Sequence, residues 1–202
     1  MTAKVGAVVL AAGQARRFGG DKLLAIWRGQ PLVVWAIRTA LGASEGPVIV
    51  VVDDPAGAVA ALTADWREPR LTVVEAADHA LGLAHSLRAG LAALPETVDG
   101  ALIFLGDMPR IPPAMGPVLI RALTDGKLAV APMFKGRRGH PVLVVRGLFP
   151  DIDRLEGDSG AGKLLGALGS AVALVESDDD GILFDVDTPA DLAALSDSKR
   201  PG

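Results

Sequence analysis

Three groups of charged residues follow directly on apolar runs, where a folded chain places side chains that meet a ligand. The first is VVLAAGQARRFGGDKLL, from Val8 to Leu24, in which an all-apolar run gives way to Gly13, Arg16, Arg17, Gly19, Gly20 and Lys22. Glycines allow close backbone approach or positive φ. Backbone N–H groups of such a loop, with Arg17 and Lys22, would cradle a polyphosphate. A surface turn with solvated charges accounts for the same residues. The loop matches neither G-x-G-x-x-G nor G-x-x-x-x-G-K-[ST], so it is neither a dinucleotide fingerprint nor a Walker A loop. The second group is ALIFLGDMP, with Asp107 just past Gly106. This aspartate either caps the turn before Pro109 or holds Mg²⁺, a hard cation that one or two carboxylates bind together with phosphates. The third is ILFDVDTPADL, which places Asp185 and Asp187 at alternate positions of an expected strand over 182–186. Asp187 or Thr188 also reads as the cap of a helix begun by Pro189. Capping alone does not account for two aspartates.

A second basic group, Lys135, Arg137 and Arg138, leads into His140. GDSGAGKL (157–164) comes near a Walker A loop, but Leu164 stands where Ser or Thr would hold Mg²⁺ and DIDRLE before it is no buried strand. A helix N-terminus capped by Asp158 or Ser159 is the ordinary reading. His79, His85 and His140 have no metal-ligand spacing, and Asp178 to Asp180 read as a solvated turn.

These residues need a scaffold, and the pattern supplies one. Short β-branched runs at 5–11, 47–52, 71–75, 101–106, 128–133, 141–145, 171–176 and 182–186 alternate with helical segments at about 31–43, 56–66, 80–94, 113–125, 159–168 and 189–196. Strands spaced by helices imply βαβ units. The fold class is therefore α/β: a single-domain, Rossmann-like three-layer sandwich with a mainly parallel sheet. Only FKGRRGH separates 128–133 from 141–145, which gives one antiparallel hairpin element. The domain is expected over 1–196, with a frayed tail at 197–202. In such a sheet ligands bind beyond the carboxyl ends of the strands, where the charged groups fall.

Composition narrows the partners. The 202 residues carry a net charge of −4 and 4% aromatics, which leaves neither a basic footprint nor stacking platforms for nucleic acid. No run reaches the roughly 18 apolar residues of a membrane span. The absence of cysteine excludes disulfides, a thiol nucleophile and thiolate metal sites, and fits a cytoplasmic address.

Taken together, the motifs resemble those of the MobA-like nucleotidyltransferases, and within them the molybdenum cofactor cytidylyltransferases. LAAGQARRFGGDK is similar to the signature L-A-A-G-x-S-x-R-x-G-x-x-K, GDMP to the first metal motif and DVDTPADL to the second. GLAHSL (82–87), GHPVL (139–143) and GDSGAG (157–162) resemble further motifs, in the expected order. Ala15, Phe18, Leu83 and Ala84 depart from the pattern. The resemblance implies a nucleotide-diphospho-sugar transferase-like fold that moves a cytidylyl group from CTP to the phosphate of a pterin acceptor. It implies that Leu10, Ala11, Ala12, Gly13, Arg17 and Lys22 line the triphosphate, that Ser86 lies near the base, and that Asp107 and Asp187 hold Mg²⁺. Arg17, Lys22 and Asp107 would be the catalytic groups, and a molybdoenzyme maturation protein a partner. With an ionised phosphate as nucleophile no general base is required. Arg137, Arg138 and His140 are our expected grip on the acceptor's phosphate. A guanylyltransferase, a sugar-phosphate nucleotidyltransferase, a regulatory module without turnover and a glycosyltransferase using Asp185-Val186-Asp187 are the alternatives. L-A-A-G at Leu10 to Gly13 points to CTP, whereas Gly19-Gly20 resembles the guanylyl branch.

Overall fold

β1 (Val5–Ala11) is buried along its whole length, because VGAVVLA carries small or β-branched groups on both faces. It lies inside a sheet whose strands, in the computed structural model, are β2 (Ile26–Trp27) and β3 (Gln30–Pro31) as a separate hairpin, then β4 (Val48–Val52), β5 (Leu71–Glu75), β6 (Gly100–Leu105), β7 (Ala129–Phe134), β8 (Arg137–Arg138), β9 (Val142–Val145) and β10 (Val172–Glu176). The structure describes residues 3–13, 18, 21–155 and 160–197. Among these, the main sheet has the order β10-β7-β9-β6-β1-β4-β5, with β8 paired to β7. β6, β1, β4 and β5 run parallel, as do β7 and β10, while β9 is antiparallel to both β6 and β7. The single-domain, mostly parallel α/β architecture is the expected one, with antiparallel pairing at β9, between β7 and β8 and in the β2–β3 hairpin.

The helices are α1 (Leu32–Ala43), α2 (Ala58–Thr63), α3 (Leu83–Ala92), α4 (Met115–Ala122), α5 (Phe149–Asp153), α6 (Gly160–Ala167) and α7 (Pro189–Asp197). α1 and α4, the latter through Leu119, close one face of the sheet over Ala7, Val9, Val50 and Phe104. On the other face α3 and α5 cover Val8, Leu10, Ile103 and Val144. Alternation along β1 sends successive side chains into opposite cores, which is how a strand without polar residues stays fully satisfied. None of the described helices is long and apolar enough to cross a membrane.

One expectation changes. Residues 182–186 form no strand: a 3-10 turn over Asp180–Leu183 runs into extended backbone at Phe184, leaving Asp185 and Asp187 on a loop. Gly139 and His140 already engage this segment, His140 N–H donating to the Ile182 carbonyl at 2.9 Å, so it packs against the hairpin without joining a ladder. The last helix reaches Asp197, and the rest of the tail expected at 197–202 lies outside the described residues. The segment before GDSGAGKL contains α5, a helix, so the strand that a Walker A loop requires is missing there.

Candidate active site at the carboxyl ends of β1 and β6

Leu10 and Ala11 close β1 and, with Ala12 just after it, are buried, whereas Gly13 is exposed. Ala12 packs with Leu10 and Leu87 in the core beneath α3. The neighbouring end of β6 is drawn in by the Gly106 N–H, which donates to the Leu10 carbonyl at 2.9 Å. Arg16, Arg17, Gly19 and Gly20 fall outside the described residues. The chain is described again from Asp21, and Lys22 opens a 3-10 turn anchored by the buried side chain of Leu23.

Lys22 Nζ donates to Asp107 Oδ2 at 2.7 Å and to Asp187 Oδ1 at 3.0 Å. Three residues from distant parts of the chain thus meet in one ion-pair cluster. Asp107 follows the end of β6, and its carbonyl accepts the Val186 N–H at 3.1 Å, which ties the second aspartate loop to the first. Val186 is itself fully buried with Trp27, Leu32 and Leu195, so Asp187 projects from a firmly packed neighbour. Burial alone would lower the Lys22 pKa, but hydrogen bonds and charges from Asp107 and Asp187 outweigh it, and the ammonium is raised above its ordinary value. Asp185 is pushed up by burial and by the charges of Asp107 and Asp187. The locus is rich in negative charge.

Asp107 Oδ1 is buried and has no hydrogen-bond partner among the described residues. An unserved, buried carboxylate oxygen is a donor suited to a hard cation, and Asp187 Oδ1 stands across the same ammonium. Among the described residues no group of three or more His, Cys, Asp or Glu could hold a metal. Two carboxylates with the remaining ligands supplied by phosphate and water suit Mg²⁺, which keeps several waters and binds through few side chains.

Asp107 caps no helix among the described residues. The cap of α7 is made by Thr188 and Asp191: Asp191 Oδ2 accepts from the Thr188 N–H and hydroxyl and from the Asp187 N–H. These bonds hold Asp191 below the usual carboxylate range, the Thr188 hydroxyl contributing most. α4, the helix after Asp107, has no side-chain cap. The sequence signal for Asp191 is the T-P-A-D spacing of a capping box.

Arg110 is a further residue that the motifs did not single out. Its guanidinium pairs with Asp180 and lies 5.1 Å from the centroid of the Phe184 ring, so the loop after Asp107 grips the loop before Asp185. Its carbonyl lies so near Gly181 that a Cβ there would collide with it, and a Cβ on Gly139 would likewise strike the Ile182 carbonyl. Only glycine permits these approaches.

The second basic group divides. β7 and β8 turn through Lys135 and Gly136, both at positive φ, in a two-residue hairpin. Adjacent strand residues point to opposite faces. Arg138 accordingly lines, together with His140, an apolar cavity of about 270 Å³ with Leu83, Leu87, Ile103 and Val142. Lys135 and Arg137 line a separate groove with Asp180 and Phe184. Burial pushes the His140 pKa down, against the Ile103 carbonyl 3.4 Å from Nδ1 and the charges of Asp107 and Asp185. Ser86 is buried within α3.

A model of the MobA-like NTP transferase domain matches residues 7–172. The chain belongs to the MobA-like NTP transferase family. It is 32% identical over 189 residues to the purine catabolism protein PucB of Bacillus subtilis, covering 90% of this chain and 91% of that protein. The crystal structure of Mycobacterium tuberculosis Rv0371c superposes with a TM-score of 0.83 at 30% identity, covering 98% of this chain and 100% of that one. Rv0371c in complex with manganese gives 0.80 at 28% identity, with coverage of 97% and 100%. A nucleotidyl transferase from Methanothermobacter thermautotroptrophicus shares the fold, with a TM-score of 0.82 at 23% identity over 96% of each chain. As a MobA-like NTP transferase the chain is a nucleotidyltransferase; Lys22 and Asp107 lie within the matched span, and Asp187 lies outside it.

Proposed function

We propose that this nucleotidyltransferase transfers a cytidylyl group from CTP to the phosphate of a molybdopterin-type acceptor with the help of Mg²⁺. The observation that carries the reading is the convergence of Lys22 on Asp107 and Asp187 at the carboxyl ends of β1 and β6. An acceptor phosphate oxygen forms a bond to the α-phosphorus of CTP. The bond from that phosphorus to the bridging oxygen breaks, and pyrophosphate leaves with the electron pair. The nucleophile is already ionised, so the chain need not remove a proton, and His140, held neutral, is not asked to. Lys22, with Arg17 from the preceding loop, neutralises and aligns the triphosphate. Asp107 and Asp187 would hold Mg²⁺, which supplies countercharge to the phosphates when bound. The manganese complex of Rv0371c supports a divalent cation here.

The cavity beside His140 supports an acceptor with a ring-shaped body. Its leucine, isoleucine and valine walls offer packing to a flat ring, and Arg138 in the lining offers an anionic group a bidentate donor. Leu10-Ala11-Ala12-Gly13 favours CTP, with Ser86 on α3 as the neighbour of the base.

Pyrophosphate release across a matrix of CTP, GTP, ATP and UTP against molybdopterin and sugar phosphates tests the reading. Turnover is expected with CTP and molybdopterin. A higher kcat/KM with GTP, or turnover confined to sugar phosphates, would replace it.

A further inference from the structure

Lys22 and the metal proposed above need the same two carboxylates. The ammonium is bonded to Asp107 Oδ2 at 2.7 Å and to Asp187 Oδ1 at 3.0 Å, and its side chain is only 13% exposed, so it sits between the aspartates and not above them. The arrangement is incomplete as an ion-pair site, because Asp107 Oδ1 is buried with nothing among the described residues to accept from. It is reasonable as a resting state. Asp107, Asp185 and Asp187 face one locus, and without a cation their mutual repulsion would open the two loops that carry them.

We propose that Lys22 is a placeholder for the divalent cation, occupying the Asp107–Asp187 position in the nucleotide-free protein and leaving it when metal and triphosphate arrive. The proposal rests on the reading that these aspartates take Mg²⁺ and Lys22 takes phosphate. A lysine is suited to the exchange, since its compact charge rides on a flexible four-carbon stem with rotatable donors. Lys22 also stands at the start of a 3-10 turn, next to the loop expected to carry the phosphates. Two cations cannot share so small a space, so entry of one expels the other. A triphosphate that draws the ammonium away raises metal affinity, and by linkage the metal raises nucleotide affinity by the same factor. Either ligand alone binds against the ion pairs.

The test is Mn²⁺ binding to the nucleotide-free protein, followed by the electron paramagnetic resonance of free Mn²⁺. Lys22→Met, which keeps an unbranched side chain one atom shorter and removes the charge, should tighten binding roughly ten- to a hundredfold, the range of a charge-assisted hydrogen bond. A second measurement separates displacement from mere charge repulsion: in the wild-type protein Mn²⁺ should increase acylation of Lys22 by an amine-reactive reagent, relative to Lys127, read by peptide mass spectrometry. Unchanged or weaker Mn²⁺ binding in Lys22→Met, or Lys22 labelling that Mn²⁺ does not increase, overturns the proposal. If Mn²⁺ binds, weakens on Asp107→Asn and ignores Lys22→Met, the metal assignment stands and the placeholder alone falls. Absence of Mn²⁺ binding in both proteins overturns both.

Discussion

Thr188 and Asp191 close a reciprocal cap on α7: Asp191 Oδ2 accepts from the Thr188 N–H and hydroxyl at 2.7 Å each, and the Asp191 N–H donates to Thr188 Oγ1 at 3.3 Å. The helix start is therefore served without the carboxylate of Asp187, which turns to Lys22. Stability and chemistry are separated between neighbouring residues. Thr188→Ala should cost about 1 kcal/mol of folding stability and Asp191→Ala should lower Tm, with Mn²⁺ affinity largely kept. Asp187→Asn should do the reverse. Denaturant melts paired with metal titrations check this, and equal losses in all three variants would refute the division.

Asp107→Asn keeps the shape of the side chain and removes one of the negative charges facing Lys22. Metal-dependent turnover should fall about a hundredfold or more, while circular dichroism stays native. Near-wild-type turnover in a folded Asp107→Asn protein would remove the metal assignment.

Lys22→Ala should weaken nucleotide binding at saturating Mg²⁺ by roughly ten- to a hundredfold, the worth of a charge-assisted bond to phosphate. Isothermal titration with a non-hydrolysable CTP analogue gives the number. An unchanged Kd would mean that Lys22 serves the aspartates only.

Arg137 and Arg138 are adjacent, yet they face different hollows. Arg138→Gln should raise the acceptor KM with nucleotide affinity unchanged, and Arg137→Gln should leave both alone. Steady-state kinetics on the two single variants decide it; identical effects would dissolve the assignment of the cavity to the acceptor.

His140 is held neutral by its surroundings, so the folded protein resists a proton that the unfolded chain accepts near pH 6.5. The sign follows from linkage. Below that pH the unfolded state binds more protons, and stability present at neutral pH is lost progressively as pH falls towards the depressed folded value. His140→Gln should flatten this part of the profile. Urea melts between pH 7 and 5 measure it, and an identical slope in the variant would place the acid sensitivity elsewhere.

The sequence by itself determined the parallel sheet, since runs such as VGAVVLA and VIVVV have no polar residue to turn to water and must be covered on both faces. It also determined the β7–β9 hairpin, because FKGRRGH is too short for a crossover helix, and it marked Lys22, Asp107 and Asp187 by their positions after apolar runs. It misjudged 182–186, where ILFDV carries the apolar, β-branched composition of a strand. Whether such a run pairs depends on a free strand edge, and here the close contacts of Gly139 and Gly181 fix it as a loop across the hairpin. Only the tertiary structure could bring Lys22, Asp107 and Asp187 together across chain separations of 85 and 165 residues. Hydrogen bonds over such separations leave no local periodicity. The same holds for the grip of Arg110 on Phe184 and for the parting of Arg137 from Arg138, which depends on the register of β8 against β7 and on what each face of that hairpin meets.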